Sequence, residues 1–141
     1  MASESVWRRM LLVATGLVIG VAAILALVAP PLWRADTSPY ATPDSAIQGS
    51  WVFVIVHALV AAALLGTMLV TRRGGSASKV LLRAAGLVEL ALGFMGLISA
   101  VDIYAGPHFS FIPELTVLSF VCAGGALAAG ALAIAASRLT D

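Results

Sequence analysis

Charge is scarce in this sequence. Charged residues fill 11% of its 141 positions, against about 25% in an ordinary soluble domain. Cysteine occurs once, as Cys122, which excludes an intrachain disulfide and cannot build a metal site alone. It reads as a small buried apolar residue. Histidine occurs twice, at His57 and His108. No phosphate-binding glycine loop, Ser-His-Asp set or zinc-protease motif is present. No basic patch with interleaved aromatics points to nucleic acid as a partner. These absences argue against an enzyme.

Apolar residues fill the space, at 61% of the chain. They gather in four runs, 10–33, 51–70, 80–101 and 116–136. About 20 apolar residues in a helix cross the roughly 30 Å hydrocarbon core of a bilayer. The sequence therefore predicts an all-α, antiparallel four-helix bundle integral to a membrane, with the lipid bilayer as its first partner. Little chain is left over, so residues 1–141 read as one domain. Arg8-Arg9 before the first run imitates a signal peptide. The run is longer than the 7–15 residues or so of a signal h-region and ends in Pro30-Pro31-Leu32-Trp33 without a cleavage site, so an uncleaved anchor fits better.

The few charges are distributed unevenly. With four spans, Arg8, Arg9, Arg72, Arg73, Lys79, Arg83 and Arg138 share one side. The other side has Arg34 with Asp36, Asp44, Asp102 and Glu114. The positive-inside rule then places both termini in the cytoplasm, across the cell membrane. Trp33, Tyr40 and Trp51 flank the first outer loop, Tyr104, Phe109 and Phe111 lie in the second, and Trp7 marks the inner boundary. Thr42-Pro43-Asp44 and Pro113-Glu114 read as helix starts, with Pro at the first helical position and an acid in the first turn. Gly74-Gly75-Ser76-Ala77-Ser78 reads as a short inner connection.

Leu11, Leu12, Ala14, Gly16, Leu17, Val18 and Leu27 fall on identical residues at Leu81, Leu82, Ala84, Gly86, Leu87, Val88 and Leu97 under one common shift. The same shift sets Pro43 on Pro113 and Asp44 on Glu114. A two-plus-two parallel repeat is a candidate, although Leu- and Ala-rich helices match often by chance.

Glu89 is the sharpest polar feature, midway along the third run. An ionisable residue at that depth is costly and marks a functional candidate. Ala85, Gly86, Gly93, Gly96 and Ala100 share its helical face, while Val80, Leu87, Phe94 and Ile98 lie opposite. Small residues mark helix contact, so Glu89 should point inward. It is either a proton- or ion-carrying carboxylate or a neutral one bonded to Thr15, Thr67 or a backbone carbonyl. His57 is the second candidate, as a haem ligand, proton relay or interhelical hydrogen bond. Its face carries Ser50, Phe53, Ala61, Leu64 and Met68, while the small Ala62 and Gly66 lie elsewhere. That pattern argues against a direct His57–Glu89 pair. Asp102, His108 and Glu114 are candidates for the outer mouth, with no closed metal motif among them. No metal or cofactor is predicted, haem being the weaker reading of His57.

Gly16 and Gly20 form a GxxxG pattern. With Gly86, Gly93, Gly96, Gly125 and Gly130 they are candidates for close helix packing, internally, in a homo-oligomer or against a membrane-protein partner. The fourth run is nearly all small between Cys122 and Ala136, so it is expected to be largely shielded. The leading functional reading is a non-enzymatic structural or accessory subunit of a membrane complex. The alternatives are a proton- or ion-coupled transport component using Glu89, and a haem- or quinone-binding redox subunit using His57.

Overall fold

The computed structural model describes residues 2–35, 43–70, 76–105 and 113–139. The first rod, α1, is an α-helix over Ala2–Ala23, a π-helical stretch over Ile24–Val28 and an α-helix over Ala29–Ala35. It is followed by α2 (Pro43–Val70), α3 (Ser76–Ala105) and α4 (Pro113–Ser137). All four are long and apolar enough to cross a membrane. The chain is an all-α, multi-pass membrane bundle.

The helices outrun their apolar cores. The 28 residues of α2 extend about 42 Å at 1.5 Å per residue, beyond a hydrocarbon core of about 30 Å. Both α2 and α4 begin at their proline, Pro43 and Pro113. Two boundaries differ from the sequence reading. Helix α1 starts at Ala2, well before Met10, and Ser76-Ala77-Ser78 belongs to α3 instead of a connection. Outside the bilayer polar residues continue a helix freely, and serine is at home at a helix start.

The π-helical stretch has a local cause. Pro30 and Pro31 lack an amide hydrogen, and each ring crowds the carbonyl four residues back. The hydrogen-bond ladder changes register just before them, where Ala29 N–H bonds to Ile24 O. This absorbs the prolines without ending the helix.

Each helix packs against its neighbours in a closed ring, α1 on α2, α2 on α3, α3 on α4 and α4 on α1. The α3–α4 contact is the most intimate and the α2–α3 contact the loosest. Gly86 and Gly130 explain the first. A Cβ on Gly86 would lie 2.8 Å from Gly130 O, and a Cβ on Gly130 would lie 2.7 Å from Gly86 O. Such close backbones need glycine on both sides. Gly93 packs equally tightly on Leu127, Gly125 on Val21, and Gly96 more loosely on Ala123.

At the end carrying both termini, Trp7, Leu11, Ala14, Val18, Val60, Leu64, Leu82, Ala129 and Ala133 join in one buried core. Arg83 Nε donates to Ser137 Oγ, which donates to Ile134 O, latching α3 to α4 there. Bulky residues such as Leu69, Val80, Leu87 and Ile98 stand exposed on the outside of the bundle.

Two packing expectations need correcting. Nothing lies within 4 Å of a Cβ built on Gly16 or Gly20, so their GxxxG pattern packs no helix of this bundle. Helix α4 is not shielded all round. It buries Cys122, Ala123, Ala126, Ala129, Gly130 and Ala133, but exposes Gly124, Ala128 and Ala131. A helix of uniformly small residues carries no contrast that tells its faces apart. The two halves of the repeat also pack differently, since Gly16 is exposed and its counterpart Gly86 is buried against α4.

Candidate functional site

Glu89 is fully buried at 0% exposure, and the face of small residues around it is the buried face of α3. Its partner is His57. His57 Nδ1 and Glu89 Oε1 are 2.9 Å apart, with His57 3% exposed. Neither threonine expected as a partner takes this place. Thr67 Oγ1 donates to Ala63 O of its own helix, and Thr15 Oγ1 is buried without a hydrogen-bond partner.

The sequence argued against this pair, and the reason it forms is one of reach. Small residues on facing helices mark backbones in close contact. Here α2 and α3 are the loosest neighbours, and α3 turns Gly86 and Gly93 toward α4. Two long side chains cross the wider gap and tie α2 to α3. Ala62 and Gly66, the small residues of α2, are left outside the buried core. A histidine and a glutamate at matching depth on consecutive helices was the usable signal. Small-residue periodicity could not reveal it.

At this separation the carboxyl and the imidazole form a direct hydrogen bond. The four spans supply nothing else to compete. From Met10 to Trp33 and from Leu115 to Ser137 no side chain is charged, and Cys122 is the only titratable one. In α2 from Ser45 to Val70 only His57 titrates, and in α3 from Ala84 to Val101 only Glu89. Glu89 Oε2 is buried with no hydrogen-bond partner. A half-satisfied buried carboxyl is an expensive arrangement.

Beside the pair lies a cavity of about 330 Å³, within the range of small-molecule sites. It occupies the half of the bundle opposite the termini. Val21, Leu25, Ala29 and Trp33 of α1 form one wall, across the π-helical stretch. Ala46, Gly49, Ser50, Phe53 and His57 of α2 form another. From Ala46 to His57 the wall descends about 16 Å at 1.5 Å per residue. Helix α3 contributes Leu92, Gly96 and Ser99, and α4 contributes Leu115, Ser119, Cys122 and Ala126. Ser119 Oγ donates to Leu115 O and Ser50 Oγ to Ile47 O, so both hydroxyls keep acceptor capacity. The lining includes His57 but not Glu89, so the imidazole stands between the carboxyl and the cavity.

The other candidates do not join this site. Asp102 and Glu114 are exposed at the helix ends, and His108 lies outside the described residues. Among the described residues no three His, Cys, Asp or Glu side chains gather as a metal site. Among the described residues, the cavity lining holds no methionine and no second histidine to pair with His57 on a haem. Met10 and Met68 pack on the core at the termini end, and Met95 is exposed.

No protein family, curated protein or solved structure matches the chain.

Proposed function

We propose that this chain is a non-enzymatic component of the cell membrane that takes up and releases a proton at the His57–Glu89 pair. The pair itself carries the reading: a membrane-buried carboxyl, hydrogen-bonded at 2.9 Å to an imidazole that lines a cavity. An ionisable residue inside a membrane span is costly to keep there, and proton relays are among the roles that retain one. The cavity gives the proton a route toward the end opposite the termini, and the core around Leu11, Leu64 and Leu82 closes the other side. The charge asymmetry of the sequence supports a cytoplasmic position for both termini, and on that orientation the route leads outward. Glu89 is the proton carrier and His57 hands the proton on.

A second reading, an accessory subunit docked on a larger membrane protein or on a second copy, is favoured by α1. Among the described residues, nothing lies within 4 Å of a Cβ built on Gly16 or Gly20.

Infrared difference spectroscopy in lipid nanodiscs tests the proton reading. As pH is varied, carboxyl and imidazole bands should change together. Both changes should vanish in Glu89→Gln. If no band of either residue responds to pH, the pair is a static clip between α2 and α3, and the accessory reading stands.

A further inference from the structure

The cavity has an unusual combination of features for a membrane pocket. It is apolar along most of its depth, yet ends on an imidazole. A cavity of about 150 Å³ lined by apolar side chains holds a benzene ring. At about 330 Å³ this one has room for a substituted ring and the first part of a chain. Trp33 and Phe53 in the walls offer aromatic faces for a flat ring. An alkyl chain alone would leave the free nitrogen of His57 without a partner. The occupant therefore needs an oxygen at the His57 end and an apolar body along the rest of the lining.

We propose that this cavity binds the ring of a lipid-soluble quinone or quinol, with a ring oxygen at Nε2 of His57. The site deepens the proton reading above and rests on it in one respect. Nδ1 is occupied by Glu89, so the protons on the pair decide what Nε2 offers. With two protons on the pair, Nε2 carries hydrogen whether the other proton sits on Oε1 or Nδ1, and it donates to a carbonyl. With one proton on the pair, that proton bridges Nδ1 and Oε1, and Nε2 is left as an acceptor for a hydroxyl. Loss of a single proton thus changes the site from one that prefers a quinone carbonyl to one that requires a hydroxyl. Among the described residues, the only other titratable group lining this cavity is the Cys122 thiol of α4, and α1 contributes none to the lining. No electron transfer is part of the proposal.

The test is equilibrium binding to protein-containing nanodiscs over empty ones. The probe is a fully substituted, decyl-tailed benzoquinone, which cannot add a thiol. Saturable binding is expected, about tenfold tighter than that of decylbenzene, which lacks the oxygen. Affinity for the quinone should fall as pH rises, by up to about tenfold per pH unit, the limit for one linked proton. Its hydroquinone, kept reduced, can donate or accept and should hold its affinity. Glu89→Gln should flatten the quinone profile, because an amide can offer Nδ1 a donor at any pH. Ser119→Phe, which fills the cavity from α4, should abolish binding without changing the infrared bands of the pair. Absence of saturable quinone binding, equal binding of decylbenzene, or unchanged binding in Ser119→Phe overturns the site. Binding with a flat profile in the unsubstituted protein overturns the donor–acceptor change. A pair that titrates in the infrared while no quinone binds would leave the proton reading standing and remove this one.

Discussion

The two halves of this bundle are built from the same helices and the same few residue types, yet they pack differently. In the half with the termini, leucines from three helices meet over alanines, and Gly86 and Gly130 bring backbones into contact. In the other half α1 runs through a π-helical stretch, tandem prolines follow, and the helices enclose about 330 Å³ of space. The His57–Glu89 pair lies at the boundary. Lipid tails are as apolar as leucine, so a membrane bundle gains little from hydrophobic transfer and depends on packing and hydrogen bonds. A half that gives up packing gives up stability, and the cavity lies in the half that does so.

The largest effect should come from filling the tight half. Gly130→Leu would drive a side chain into the Gly86 carbonyl and Leu90, and overpacking of this kind costs about 1–3 kcal/mol. Unfolding in mixed micelles should put it near the top of that range. Leu64→Ala, at a fully buried position of the same half, follows at about 2 kcal/mol. That figure is the cavity term alone, roughly 80 Å³ at about 24 cal/mol per Å³. If Leu64→Ala proved neutral, the dry core would not be what holds the bundle.

Third comes the boundary itself. A double-mutant cycle with His57→Leu and Glu89→Leu should show a coupling of about 1 kcal/mol, typical of interhelical hydrogen bonds in membranes. Zero coupling would dissolve the bond as a link between α2 and α3. The smallest effect belongs to Gly16→Leu, where an added side chain meets nothing of this chain. Stability of the isolated protein should stay within about 0.5 kcal/mol. A larger loss would mean that this face of α1 packs against a second copy.

Much of the fold was legible, because a bilayer reduces it to hydropathy, length and loop charge. Four spans, the starts at Pro43 and Pro113, and the inward face of α3 all follow from contrasts along the sequence. Reading failed where contrast was missing or misled. Every residue of α4 from Cys122 to Gly130 except Leu127 is small or apolar in the same way, so its exposed Gly124 and Ala128 could not be told from its buried Ala126. Gly16 and Gly20 have the spacing of a helix contact without a helix there. The pair was hidden because small-residue spacing reports close backbones, whereas His57 and Glu89 join where α2 and α3 stand apart. The π-helical stretch had a visible cause in Pro30-Pro31, which reads more readily as the end of a run.

The contrast between halves can be tested on one helix with matched positions. Ala126 and Ala133 of α4 are both buried, 2% and 1% exposed, about two turns apart. Ala126 lines the cavity and Ala133 belongs to the core at the termini end. In a Cys122→Ser background, Ala126→Cys and Ala133→Cys each place one thiol in an apolar setting. Labelling with membrane-permeant N-ethylmaleimide then reports access alone. The account predicts that Ala126→Cys reacts at least about tenfold faster, a barrier difference of about 1.4 kcal/mol. Equal rates, or faster reaction at Ala133→Cys, would contradict a bundle that is open on one side of the His57–Glu89 pair and closed on the other.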